Sequence, residues 1–313
     1  MSIPPQVQAF SGNEATIRVV GHRGARGILP ENSMIGFDFA LSTGVNLLEF
    51  DVLLSRDAVP VITHNHEFHG SAVRGADGAF LNGVHPRVAS LTMAEIERLD
   101  IGRLNGATEY GRRFPDQAQM DGVRVPRLSE LLSLVSQEKY DDACLMLELK
   151  SDPDLAQDGE GHARIVTAVC AELRDAGMMG RTLLHSFDWA LLAECRRQVP
   201  DMPLSFLTQL DENEHDIGED SALLVTPDFS NPDISVPDEV HKAGGSLWCP
   251  HFTELGAEDL ARARALGLTI AVWTVNEPDD IEAMIDLRVD AIVTDYPGRV
   301  QQRLLERGFR WSC

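Results

Sequence analysis

The chain has 313 residues, of which 43% are hydrophobic and 24% charged, an ordinary globular composition with ample apolar material for a large core. Its 49 acidic and 27 basic side chains leave a net charge of −22, a surface that repels nucleic acid and anionic membrane, so neither is expected as a partner. No apolar run approaches the ~20 residues that span a bilayer, and the opening MSIPPQVQAFSGNEATIRVV lacks a basic stretch followed by an apolar one, so a cytoplasmic location without a signal peptide is expected.

Strand-like and helix-like segments alternate along the chain. TIRVVGHRG (16–24) predicts a strand with a polar, glycine-containing end. ENSMIGFDFALSTG (31–44) predicts a helix with Ile35, Phe39 and Ala40 or Leu41 toward the core, stopped by Gly44. NLLEFDV (46–52) is a second strand, and VPVITH (59–64) a further short extended run. Residues 65–127 break the rhythm. They are rich in Gly, Asn, Asp and Arg and hold one predicted helix, LTMAEIERLD (91–100), with Thr92 and Glu95 as its capping box. The stretch reads as an insertion after the second strand. Amphipathic LSELLSLVSQ (128–137) then sets Leu128, Leu131, Leu132 and Val135 on one face.

Strands follow at 144–150, 182–187, 203–208, 246–250, 269–275 and 291–297, with helices near 160–176, 189–199, 236–243, 256–266, 278–287 and 298–308. Eight strands, each followed by a helix, predict an α/β fold closed into a (β/α)8 TIM barrel, with 1–313 as a single domain carrying the insertion. A doubly wound sheet is the rival. Against it, no G-x-G-x-x-G follows the first strand and no G-x-x-x-x-G-K-S/T occurs anywhere. The five cysteines are scattered and form no C-x-x-C pair, which suits reduced thiols better than disulfides or a zinc finger. Cys144 and Cys249 lie in apolar runs and read as small hydrophobes.

A barrel collects its functional groups at the C-terminal ends of its strands. There the sequence offers His22 and Arg23, then Glu49 and Asp51 on one strand face, then His64 with His66 and Glu67. Glu148 and Lys150 end the third strand, and later ends carry His185, His251, Trp273, Asn276 and Asp295. Three carboxylates in an apolar context must be protonated, paired or bound to a cation. Oxygen ligands suit a hard divalent ion, Mg²⁺ or Ca²⁺. The alternative is that Glu49 and Glu148 simply pair with Arg23 and Lys150. His22 and His64 fit a general acid and base. Arg23 and Lys150 could grip phosphate oxygens.

Together these residues resemble the glycerophosphodiester phosphodiesterase family. VVGHRGARGILPENSMIGFDFALSTGVNLLEFDVLLSRDAVPVITHN is similar to its opening signature of HRG, PEN, a helix, a Glu-x-Asp strand and a later His. LELK, VPRLSELL, HSFD, AVWTVN and DAIVTDYP are similar to further landmarks in order, over about residues 16–300. The resemblance implies metal-dependent hydrolysis of a glycerophosphodiester to sn-glycerol 3-phosphate and an alcohol. It implies His22 and His64 as the catalytic pair, Glu49, Asp51 and Glu148 as metal ligands, and Arg23 and Lys150 as phosphate contacts. One position departs: many relatives have His-Asp where this chain has His64-Asn65. Trp273, His251 and Phe252 are candidates for lining the alcohol pocket, for instance around a choline-like cation. The competing readings are a metal-dependent amidohydrolase, on the strength of His64-Asn65-His66, and a barrel that binds phosphodiesters without cleaving them.

Overall fold

Strands buried on both faces and separated by helices leave the chain few options, and it closes on itself. The computed structural model describes residues 3–83, 85–152, 160–210, 226–231 and 234–312. Its first half runs α1 (Pro5–Phe10), β1 (Arg18–His22), α2 (Met34–Ser42), β2 (Leu47–Leu54), β3 (Pro60–Ile62), α3 (Met93–Ile96), α4 (Glu109–Arg113), α5 (Leu128–Val135) and β4 (Cys144–Leu149). The second half runs α6 (Glu160–Asp175), β5 (Thr182–Ser186), α7 (Trp189–Gln198), β6 (Leu204–Thr208), α8 (Val236–Lys242), β7 (Leu247–Pro250), α9 (Ala257–Ala265), β8 (Thr269–Val272), α10 (Pro278–Leu287), β9 (Ala291–Thr294) and α11 (Pro297–Glu306). Eight of the strands are parallel in the order β1-β2-β4-β5-β6-β7-β8-β9, and β9 pairs back onto β1. The expected TIM barrel is the fold. The short run at 59–64 becomes β3, an antiparallel flap on β2 that leads into the insertion.

Alternation along each strand decides what faces inward. Val20, Leu47, Met146, Leu183 and Leu247 pack in the barrel interior, while Val19, Leu48, Leu145, Leu147 and Leu184 pack outward in the layer shared with the helices. Residues two further along share the inward face. His22 follows Val20, Glu49 and Asp51 follow Leu47, Glu148 follows Met146, and His185 follows Leu183. The apolar floor and the polar mouth are thus successive layers of one pattern. Parallel pairing sets His22 beside Glu49, Asp51 beside Glu148, and Glu148 beside His185. Phe10 of α1 is fully buried in the interior cluster and contributes to its apolar floor.

Two local expectations change. The core face of α2 is Gly36, Phe37, Ala40 and Leu41, whereas Ile35 is 39% exposed. Nearly every side chain of α2 is apolar, so spacing alone carries no phase. Phase comes instead from the Ser33 cap, which accepts from Gly36 N, and from the tight approach of Gly24 to Gly36. The insertion contains α3, shorter than expected but with its Thr92–Glu95 capping box, and also α4, which was not anticipated. Its own small core of Phe68, Val73, Val88, Met93, Ile96 and Val125 packs on Leu53 of β2 and Val61 of the flap. Cys144, Cys170, Cys195 and Cys249 are buried free thiols, and Cys313 lies outside the described residues.

Candidate active site

The mouth of the barrel concentrates charge that the fold cannot expose. Glu49, Asp51 and Glu148 are 3%, 1% and 6% exposed, and one oxygen from each lies within 4.8 Å of the others. They do not ionise alike. Lys150 Nζ stands 3.1 Å from Asp51 and 2.6 Å from Glu148, and Arg23 Nε stands 3.2 Å from Asp51. Asn32 adds a hydrogen bond to Asp51 at 2.9 Å. Burial opposes charge on Asp51, but the Lys150 and Arg23 cations outweigh it and hold Asp51 well below the ordinary carboxylate range. Glu49 goes the other way. Burial, then repulsion from Asp51 and Glu148, lifts it well above its usual value. Burial also pushes Glu148 up to about 7, with Lys150 resisting.

Part of the salt-bridge alternative is therefore present: Lys150 does pair with Glu148. Glu49, however, takes only the backbone N–H of Arg23, at 3.1 Å on Oε2. Its other oxygen, Oε1, is buried without a hydrogen-bond partner. A carboxylate with one orphaned oxygen, set within 4.8 Å of two further carboxylates, fits a cation, since neutralising it in protein alone leaves one lone pair unmet.

Two imidazoles flank the carboxylates. His22 Nδ1 donates to Asp295 Oδ1 at 2.7 Å. Asp295 is held by Arg26 through two bonds of 2.8 and 3.0 Å and by the Asn276 amide at 2.7 Å. Burial resists, but Arg26 and His22 keep Asp295 far below the ordinary range. An ionised, acceptor-only Asp295 fixes the proton on Nδ1 and leaves Nε2 of His22 facing Glu49, 3.7 Å away. Burial lowers the pKa of His22, so the ring is neutral near pH 7. His64 is also pushed well below its usual value, by burial and then by the Arg23 and Lys150 charges. Its Nδ1 meets Asn65 Oδ1 at 2.7 Å, so Asn65 accepts where a carboxylate would otherwise stand. His66 is engaged instead with the Ser151 carbonyl at 2.6 Å, and it forms no pair with His64.

A cavity lined by His22, Arg23, Glu49, His64, Glu148 and Lys150 continues onto an apolar wall of Phe187, Leu207, Trp273 and Val293, with His185 beside them. Trp273 thus faces the cavity. His251 meets Trp273 edge to face at a ring separation of 5.1 Å, and Phe252 packs against the outer core, so neither is among the lining residues. His185 Nδ1 bonds Ser205 at 2.6 Å, and burial brings its pKa down to about 3. The insertion borders an adjoining cavity with His64, Asn32 and Glu31, and it reaches the charges directly. Tyr110 of α4 donates to Glu31, which pairs with Arg23 at 3.2 Å.

Strand-end reading found the charged groups and imidazoles that face the cavity, and Trp273, but not Phe187, Leu207 and Val293 of its wall or the supports behind it. Arg26 and the roles of Asp295 and Asn276 depend on contacts between distant parts of the chain. Phe187 had a signal, since it directly follows the His185-Ser186 strand end. Arg23 and Asn32 both adopt left-handed backbone, at φ 49° and 50°, and both are tied to the carboxylates they serve.

Carboxylates, imidazoles and fixed cations gathered at the mouth of a parallel barrel are the equipment of a hydrolytic (β/α)8 enzyme for an anionic ester. The profile of the glycerophosphoryl diester phosphodiesterase family matches residues 22–299, and the chain belongs to that family. It is 48% identical to a Silicibacter pomeroyi protein assigned to the glycerophosphoryl diester phosphodiesterases, with a TM-score of 0.91 over 98% of this chain and 99% of that one. Glycerophosphodiester phosphodiesterases of Caldanaerobacter subterraneus and Bacillus subtilis are 25% and 24% identical, covering 89% and 94% of this chain and 94% and 90% of theirs. An Oleispira antarctica phosphodiesterase solved with the product sn-glycerol-3-phosphate shares the fold, at 20% identity and a TM-score of 0.68 over 92% of this chain and 97% of that one. The protein is a glycerophosphodiester phosphodiesterase. No helix among the described residues is long and apolar enough to cross a membrane.

Proposed function

We propose that the chain hydrolyses glycerophosphodiesters to sn-glycerol 3-phosphate and an alcohol, using a divalent cation held by Glu49, Asp51 and Glu148, and that barrel and insertion work as one domain. The observation that carries this reading is the orphaned Oε1 of Glu49 among buried carboxylates that do not all ionise by themselves. Bound there, Mg²⁺ or Ca²⁺ supplies Lewis-acid stabilisation of charge developing on the phosphoryl oxygens.

The protein's own groups do the rest. Arg23 and Lys150 offer fixed cations to the phosphate, and the Phe187, Leu207, Trp273 and Val293 wall excludes water beside it. His22 presents a bare Nε2, held in that tautomer by Asp295, and suits removal of a proton from the attacking oxygen. His64 lines the same cavity with its Nδ1 held by Asn65, which leaves its Nε2 to carry a proton to the leaving alkoxide. Both rings are neutral in the free protein, and arrival of a phosphodiester anion favours protonation of one of them.

The test is release of glycerol 3-phosphate from a panel of phosphodiesters after EDTA treatment and metal add-back. Loss of turnover in EDTA and its return with Mg²⁺ or Ca²⁺ are expected, as is loss in folded His22→Ala and His64→Ala. Full-speed cleavage by demetallated protein, or near-normal turnover of either histidine variant, removes the reading.

A further inference from the structure

One set of ligating side chains lies outside the barrel mouth and has no part in the chemistry above. It sits where the insertion begins. Val88 N donates to His66 O at 2.8 Å, Phe68 N donates to Pro86 O at 3.0 Å, and Glu67 faces Arg87 in an antiparallel bridge. That register runs on to place His69 opposite His85. Glu67, two residues before His69, shares its face of the ribbon. The outcome is visible in the side chains. The rings of His69 and His85 are 4.4 Å apart, and one ligand atom from each of Glu67, His69 and His85 lies within 4.8 Å of the others.

The donor set differs in kind from the one in the barrel. Three carboxylates suit a hard cation, whereas two imidazoles and one carboxylate suit a borderline one such as Zn²⁺, with a further position left open. The three residues are half-buried, enough to limit hydration and open enough to admit an ion. The Gly70 N–H reaches Nε2 of His85 at 3.5 Å, the outer limit of a hydrogen bond, so a cation can take that lone pair at little cost. Glu67 and His69 also line the cavity that carries His64, Asn65, Glu31 and Tyr110.

We propose that Glu67, His69 and His85 form a second cation site, of the zinc class, that ties the two limbs of the insertion together beside the substrate cavity. It is independent of the barrel carboxylates, and its closure fixes the segment that leaves His64.

Cobalt titration of metal-free protein tests this, because imidazole-bound Co²⁺ absorbs in the visible. The protein is first disabled in the barrel with Glu49→Gln and Glu148→Gln, so that only the second site reports. About one equivalent of Co²⁺ with a visible band is expected there, and loss of the band in His69→Gln/His85→Gln. No band in the barrel-disabled protein overturns the proposal, as does a band that survives the histidine changes. If the double histidine variant fails to fold, zinc K-edge absorption of the barrel-disabled protein decides: imidazole scattering supports the site, and an oxygen-only shell refutes it.

Discussion

Replacing Glu49 by glutamine should make the metal-free protein more stable while removing its activity. Glu49 is 3% exposed, its carboxyl is pushed well above the usual range by burial and by two neighbouring carboxylates, and its Oε1 has no partner. Glutamine is nearly isosteric. Its carbonyl can keep the 3.1 Å bond from Arg23 N, and its amide then puts a donor in place of the orphaned oxygen, in a site that holds two further carboxylates. An unmet buried polar atom costs about 1–3 kcal/mol. Removing it together with the repulsion should yield about 1–2 kcal/mol, a rise in Tm of roughly 2–6 °C in a chain of this size. The same change deletes a proposed cation ligand. Outer-shell partners of metals already cost ~10–100-fold, so kcat/KM should fall by at least the upper end of that range. The assay is thermal unfolding in EDTA and again with Mg²⁺ or Ca²⁺, alongside turnover. Wild-type Tm should rise with cation and that of Glu49→Gln should respond far less. A variant less stable than wild type in EDTA, or equally responsive to cation, refutes the reasoning.

Asp295→Asn leaves the buried Arg26 guanidinium without its two-pronged partner and frees the His22 tautomer. It should cost about 3–5 kcal/mol in denaturant unfolding and lower kcat by roughly 10²–10⁴; wild-type values for both would contradict the clamp. Asn65→Asp sets a carboxylate against His64 Nδ1, now 2.7 Å from an amide oxygen, and so raises a pKa that burial and two cations hold down. The inflection owed to His64 in the pH profile of kcat/KM should move to higher pH, and an unmoved profile would detach His64 from the rate. Asp188 caps α7 through Ala190 N at 2.9 Å and meets His162 at 3.0 Å. Burial pushes its carboxyl up, but hydrogen bonds from His162 and Ser151 hold it below the ordinary range. A depressed carboxyl stabilises fully above its unfolded pKa of about 3.9 and loses that contribution as pH falls through the folded value. Asp188→Ala should therefore cost about 1–2 kcal/mol in urea at pH 7 and less at pH 3; an equal cost at both pH values would argue against the linkage.

What sequence could show here depended on range. The barrel was legible because each strand is a local apolar run and each helix a local period. Alternation within the Leu47–Asp51 run already implied that Glu49 and Asp51 share a face, and strand order brought Glu148 near them, while the register that sets Asp51 beside Glu148 came only with the fold. The α1 helix escaped because six residues carry too little period to see. The α2 helix showed its extent but not its phase, since apolar residues nearly surround it. The Arg26–Asp295 clamp spans 269 residues, and nothing local marks either member as the other's partner. The fate of Lys150 was open in the sequence. Spacing allowed a phosphate contact or a salt bridge, and the fold sets it against two carboxylates.

Two kinds of electrostatics meet at this mouth, and their difference explains the arrangement. Asp295, with Arg26 and Asn276, forms a satisfied network that keeps its own carboxyl ionised and fixes the tautomer of His22. Such a group orients a base and does not respond to ligand. Glu49 and Glu148 form the opposite case, carboxyls lifted by burial and repulsion that gain most when a cation arrives. Arg23 joins the two sides of the molecule. Its backbone holds Glu49, its guanidinium meets Asp51, and Glu31 links it to Tyr110 on the insertion. A displacement of Tyr110 therefore reaches the carboxylates through Glu31 and one arginine side chain. In the proposed reading, with the cation held by Glu49, Asp51 and Glu148, this path lets the insertion act on the cation site from outside it, through Arg23.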